Sequence, residues 1–207
     1  MRKIYFFGII AILMLSCNSK PSSESGQTET GLKIGKGKYA IKSGLVEYKT
    51  QVMGMEATQT MCFDDYGAKE NQDVAMEVMG FKVHTITVMK DGFSYNYDPD
   101  KKTGTKTSLT GRNDNIDFEN LTEEIQKEMK IEKIGSEKFL DKNCTKFSIN
   151  NEKLRMKGSY LVWKGIPLKT DVDLGGMKML LEATKITENA DVPAEKFVIP
   201  ADIKFQE

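Results

Sequence analysis

Beyond residue 44 most of the chain alternates apolar and polar residues with period two, the pattern of strands with one buried face and one wet face. In LVEYKTQVM, Val46, Tyr48, Thr50 and Val52 share one face, and Glu47, Lys49 and Gln51 share the other. EATQTMCFDDYG repeats the pattern after a turn at Gly54, with Ala57, Met61 and Phe63 on one side and Thr58, Thr60 and Cys62 on the other. DVAMEVMG and FKVHTITVMKDG continue the series. FSYNYDPDKKTGTKTSL reads as a hairpin: Tyr95 and Tyr97, a turn rich in Pro, Asp and Gly, then a threonine-rich strand.

One stretch breaks the pattern. In NLTEEIQKEMK, Leu121, Ile125 and Met129 recur every four residues, which makes one apolar stripe on a short helix of about ten residues. Asn120 is the expected N-cap, and Glu123 three residues later outlines a capping box. Strands then resume as EKFLDKNCTKFSIN, KGSYLVWKG, IPLKTDVDLGG, MKMLLEATKITEN and EKFVIP, with turns at Gly165 with Pro167 and at Gly175 with Gly176. The prediction is a mainly β, α+β chain: one long antiparallel meander with one helix lying on the sheet.

The first residues follow neither period. Arg2 and Lys3 precede an apolar run from Ile4 to Leu15, too short to span a bilayer. A basic head before a short apolar run is the layout of a secretory signal peptide. The run ends in Met14-Leu15-Ser16-Cys17. That ending resembles a bacterial lipobox, which implies cleavage before Cys17 and acylation of its thiol. Acyl chains anchor because each buried CH₂ contributes about 0.8 kcal/mol. Residues 18–31, NSKPSSESGQTETG, contain no large apolar side chain and read as a flexible tether. The expected organisation is a signal peptide over 1–16, acylated Cys17 and tether over 17–36, and one domain over 37–207. An outer-membrane lipoprotein facing the periplasm is the expected location.

Composition narrows the function classes. The chain has 30 Lys plus Arg and 30 Asp plus Glu; without Arg2 and Lys3 the balance is 28 against 30. Nothing in that balance points to nucleic acid as a partner. With Cys17 acylated, Cys62 and Cys144 remain, open to one disulfide or to two separate buried thiols. His84 is the single histidine, which removes most zinc sites and nucleophilic arrangements that need a histidine. Its place in KVHTITV, level with Ile86 and Val88, reads as half-buried and satisfied. Asp64 and Asp65 do not readily share one substrate as an acid/base pair, because adjacent strand residues point to opposite faces, and with Tyr66-Gly67 they read as a strand end and turn. Asp98 and Asp100 lack the later ligands of a calcium loop and read as a turn. No cofactor, metal site or enzyme activity is expected.

Methionine is abundant, with 12 in all and 10 after Met1 and Met14. Its flexible, polarizable side chain suits apolar surfaces that accept variable partners, and also suits an ordinary core. Met53-Gly-Met55 and Met177-Lys-Met179 each put two thioethers on one strand face, but without supporting ligands they make a weak case for copper(I).

The last third has a recognisable order: IGSEKFLDKNCTKFSIN, then VWKGIPLK, then ATKITENADVPAEKFVIP. Trp163, Pro167, Phe197 and Pro200 carry it. It resembles the half-barrel lipoproteins of the lipoprotein-localisation group (LolA and LolB) at the level of layout, over roughly residues 40–205. The resemblance implies a strongly curved antiparallel sheet, an open half-barrel, with the short helix plugging its concave face. It further implies an apolar groove for a lipid or acyl chain. Met61, Phe63, Met76, Met89 and Trp163 are the expected groove residues, and Leu121, Ile125 and Met129 the plug. The expected function is a membrane-anchored lipoprotein that binds an apolar ligand, in lipid or lipoprotein handling. The alternative is a packed interaction lipoprotein that binds an envelope protein.

Overall fold

A computed structural model describes residues 37–78, 80–110 and 116–206. By contacts the chain divides into Met1–Lys33 and Ile34–Glu207, and the described residues all belong to the second unit. The predicted signal peptide, Cys17 and tether lie outside the described residues.

Two antiparallel meanders make the sheet. The first comprises β1 (Gly44–Val52), β2 (Met55–Asp64), β3 (Lys69–Val78), β4 (Phe81–Lys90), β5 (Phe93–Asp98) and β6 (Thr103–Ser108). A short helix, α1 (Glu123–Met129), follows. The second meander comprises β7 (Ile131–Phe139), β8 (Lys142–Asn151), β9 (Met156–Trp163), β10 (Ile166–Leu174) and β11 (Met177–Glu188). The meanders join where β1 pairs with β11, from Gly44 opposite Glu188 to Val52 opposite Met179, with a bulge at Glu47/Tyr48. A last strand, β12 (Lys204–Gln206), adds in parallel beside β6. The order is β12-β6-β5-β4-β3-β2-β1-β11-β10-β9-β8-β7. Its two edges, β12 and β7, do not pair, so the sheet stays open. This is the mainly β half-barrel expected from the sequence.

Cross-strand partners share a face, so the predicted alternation can be followed through the register. On one face, here the core face, Tyr39, Ile41, Val46, Tyr48, Met61, Phe63, Ile166, Leu168 and Ala183 form the main cluster. Beside it, Phe118, Met129, Ile131, Phe147, Ile149, Tyr160, Val162 and Val172 form a second. The C-terminal segment crosses the opposite, outer face. There Asn71 Nδ2 donates to the Lys196 carbonyl at 2.7 Å, and Ile199, Ile203 and Phe205 pack on Ile86, Val88, Tyr95 and Tyr97.

Three local expectations are corrected. EKFLDKNCTKFSIN is not one strand but parts of β7 and β8, folded about Leu140 and Asp141 with φ of 47° and 57°. Two-residue hairpin turns need positive φ at both central residues, and Leu-Asp lacks the usual Asn-Gly signal. EKFVIP is not a strand: Ala194–Phe197 is a 3₁₀ turn, and the final strand is β12, too short for its alternation to register. The helix is seven residues long and its N-cap is Thr122, whose Oγ1 accepts from the Ile125 N–H at 3.2 Å. Asn120 donates instead to the Gly37 carbonyl and to Asp117.

Gly158 (φ 156°) allows β9 to approach β10 closely: a Cβ there would sit 2.1 Å from the Asp171 carbonyl oxygen. Gly158→Ala is expected to separate the two strands locally and lower thermal stability. Hydrogen exchange should show lost protection over 156–174 with little change in β3–β5; uniform protection would contradict the close approach.

Candidate binding site at the open end of the half-barrel

The antiparallel register sorts the turns into two ends. The β1–β2, β3–β4, β8–β9 and β10–β11 turns, and the start of β7 after α1, lie at one end. Residues 37–43 enter at the other, beside Tyr66 and Lys164. Exposed apolar side chains concentrate at the first end. Phe81 is 75% exposed, Met53 67%, Leu154 50%, and Met55 and Ile125 somewhat over a third. Gly54 (φ 83°), Gly80 (φ 81°) and Gly175 (φ 69°) supply left-handed backbone in the two-residue turns at this end.

Just inside this rim, the core face carries two apolar rows. The register aligns Leu181, Thr50, Ala57, Met76 and Val83 in one, and Val172, Met179, Val52 and Met55 in the other. Thr50, Ala57 and Met76 are buried, and the Thr50 hydroxyl donates to the Leu180 carbonyl at 2.9 Å, so it adds no unsatisfied polar group. The rows continue along β1 into the main cluster.

The eight predicted groove and plug residues occupy different places. Met76 belongs to the rim rows. Met61 and Phe63 lie deeper on the same face, with the Phe63 ring 4.4 Å from that of Tyr39. Met89 is opposite Glu70, toward the tether end. Leu121 and Met129 pack with the second cluster, where Phe118 stands 5.2 Å from Phe147 and 5.1 Å from Tyr160. Ile125, between them on the expected stripe, is exposed, so the stripe packs at its two ends only. Trp163 packs on the main cluster at the tether end, with the Lys142 and Lys164 ammoniums 4.7 and 4.5 Å from its ring centre and both paired to Glu188. The protein's own side chains therefore fill the space that the helix stripe covers.

Cys62 and Cys144 are free, buried thiols. Cys144 belongs to the main cluster, while Cys62 lies near Lys196 of the C-terminal segment. Burial pushes both thiols up, which suits structural rather than reactive roles.

A groove of about 860 Å³ opens at the same strand ends, lined by residues of both alternating sets. Its lining follows the register rows Glu182-Lys49-Thr58-Ala75-His84 and Thr50-Ala57-Met76-Val83, with Leu180-Gln51-Glu56 and Glu77-Lys82 nearer the turns. Charged and polar side chains edge this groove, apolar ones share its lining, and of the predicted groove residues Met76 lies in it. His84 Nε2 lies 2.8 Å from Asp73 Oδ1, so the histidine is half-buried and satisfied, as read from its strand. Among the described residues no three His, Cys, Asp or Glu side chains gather to hold a metal ion.

Glu70 was not singled out in the sequence. It is 1% exposed at the tether end of the core face, opposite Phe63 and Met89. Lys38 Nζ (2.7 Å), Tyr39 Oη (2.5 Å) and Gln72 Nε2 (2.6 Å) all donate to its carboxylate. Burial alone would raise its pKa; the Lys38 charge and the three donors outweigh it and hold the carboxyl below the ordinary value. Burial, then the Glu70 charge, drives the Tyr39 phenol well up, so Tyr39 stays a donor. The one readable sign was parity: Glu70 falls in step with the apolar positions of β2 and β4.

No family model matches the chain, and no curated protein matches it. Solved structures do. An uncharacterized conserved protein from Thermus thermophilus superposes with a TM-score of 0.54 at 10% identity, covering 81% of this chain and 91% of that one. MucB in the MucA/MucB complex of Pseudomonas aeruginosa matches with a TM-score of 0.47 at 11% identity, over 78% of this chain and 57% of that one. A LolA superfamily protein from Nitrosomonas europaea matches with a TM-score of 0.36 at 10% identity, over 78% and 92%. At 10% identity the match to the Thermus thermophilus protein speaks to fold alone.

Proposed function

We propose that this protein is a membrane-anchored periplasmic lipoprotein that binds an apolar ligand, a lipid or acyl chain, along the core face of its half-barrel, entering at the rim. The observation that carries this reading is the exposure of Met53, Met55 and Phe81 on the neighbouring β1–β2 and β3–β4 turns at one end, next to the apolar rows of Met76, Met179 and Val52. Scattered exposed apolar residues need no explanation; a group at one end marks an interaction site. The anchor is Cys17, on the sequence evidence of the lipobox, with the tether joining the opposite end. Flexible thioethers along the rows suit a ligand without fixed shape. We read no enzyme activity.

A second reading has its own support. Both core clusters are packed with the protein's own rings and aliphatic chains, as a protein-binding module would be. The rim would then receive an apolar segment of an envelope partner.

A fluorescent fatty acid titrated into the full-length protein separates the two. Combined Met55→Ser and Phe81→Ser changes are expected to weaken its binding by about tenfold or more, from the loss of about 1.5–3 kcal/mol per buried apolar side chain. Unchanged affinity in a folded double variant would overturn entry at the rim. No binding by the wild type would favour the protein partner.

A further inference from the structure

The stretch from Gly37 to Ser43 touches four separate parts of the domain. The Tyr39 N–H donates to the Tyr66 carbonyl (3.0 Å), and the Tyr66 N–H donates back to the Lys42 carbonyl (2.9 Å), both at the β2–β3 link. The Ala40 N–H donates to the Lys164 carbonyl (3.2 Å) at the β9–β10 turn. Asn120, in the loop before α1, donates to the Gly37 carbonyl (3.0 Å), and Ser43 Oγ donates to the Ala190 carbonyl (2.8 Å). The β2–β3 link and the β9–β10 turn belong to different meanders. The stretch therefore braces the two halves of an open sheet at the end where the tether arrives.

It also fills space. Tyr39 and Ile41 are 1% and 7% exposed and sit in the main cluster against Phe63 and its neighbours. The core face runs without a break from Val52 at the rim to Val46 beneath this stretch, about 20 Å at 3.3–3.4 Å per residue. Val46, Tyr48, Met61 and Phe63 on that face share one cluster with Tyr39 and Ile41. A side chain held only by packing would not need a buried carboxylate beneath it. Glu70 instead gives Lys38 and Tyr39 a polar latch, a set of directional contacts that is either made or broken.

We propose that residues 37–43 form a latched clasp that occupies the deep half of the apolar site, and that an acyl chain entering at the rim displaces Tyr39 and Ile41 from it. The ligand part rests on the acyl-chain reading above; the opening of the clasp does not. Clasp opening would tie occupancy of the site to the segment that leads to the membrane anchor.

Two native thiols report on this. Cys144 lies in the cluster that Tyr39 and Ile41 complete, and Cys62 lies on the other face near the C-terminal segment. The experiment is N-ethylmaleimide labelling of the full-length protein without denaturant, with each cysteine followed by peptide mass spectrometry. Asn120→Ala, an exposed change that removes one clasp contact, is expected to speed Cys144 labelling about threefold with Cys62 unchanged, and Glu70→Gln to speed Cys144 about tenfold or more, well beyond the smaller gain at Cys62 from loss of the Glu70 charge. Oleate is expected to speed Cys144 labelling in the wild type. Equal acceleration of both thiols, or none at Cys144 in either variant, overturns the clasp. Acceleration by the variants without any effect of oleate, in a protein that binds the fluorescent fatty acid, overturns displacement by the ligand. Failure of that fatty acid to bind removes the acyl-chain reading and leaves the clasp judged by the variants.

Discussion

Lys38→Met is expected to destabilise the domain by about 3–5 kcal/mol near neutral pH, and by much less in acid. The change leaves the Glu70 carboxylate buried with Tyr39 and Gln72 as donors but with no opposing charge. In the wild type the folded-state pKa of Glu70 is held below its ordinary 4.5. Its ionised form therefore contributes stability at pH values above 4.5, and that contribution fades as the pH falls through the folded-state value. In Lys38→Met burial is no longer outweighed, and the folded-state pKa rises above the unfolded one. The sign then reverses: stability is retained in acid, where the carboxyl carries its proton, and lost as the pH rises. Urea midpoints of both proteins at about pH 7 and about pH 4 test this. The gap between them should narrow in acid; a constant gap would mean that Lys38 acts only through packing.

Phe63→Ala is expected to cost a similar amount, about 3–5 kcal/mol, at any pH where the protein is folded. Phe63 is fully buried on β2, stacked at a tilt on Tyr39, and fits against Gly44, where a Cβ would come within 2.6 Å of its ring. Alanine would leave a cavity walled by β1, β2 and the clasp, which the paired strands cannot collapse to fill. Phe63→Leu keeps most of the volume and should cost under about 1.5 kcal/mol. A loss below about 1 kcal/mol for Phe63→Ala would mean that the surrounding strands relax into the space.

Much of the sheet was legible because its signal is local. Val46, Tyr48, Thr50 and Val52 alternate with charged residues along β1, and their partners on β2 alternate in the same sense. The turns marked by glycine were readable for the same reason. What escaped depended on contacts distant in sequence or on unmarked backbone. Leu140-Asp141 turns without a turn residue. The parallel addition of β12 to β6 joins segments far apart in the chain. Thr122 outcompetes Asn120 as the cap because Asn120 is engaged by Gly37, 83 residues away.

The site was legible only in part, for a related reason. Composition marks methionines and aromatics as apolar but does not say which end of a strand they occupy or what lies over them. Met76 reached the rim rows, whereas Met61 and Phe63 lie beneath Tyr39 and Ile41. Those two residues precede the first clear strand, where no periodicity drew attention to them. Glu70 lies in KENQD, where no apolar alternation marks a buried position, and only the register places it between Phe63 and Met89.

Native mass spectrometry of the full-length protein, extracted gently from membranes, tests the proposed lipid binding most directly. The expected spectrum contains the covalently acylated protein and a second population heavier by a non-covalent lipid, which shrinks in the combined Met55→Ser and Phe81→Ser variant. A spectrum of lipid-free protein alone, with cross-linking in cells giving one dominant protein adduct, would contradict it and make the half-barrel a protein-docking module.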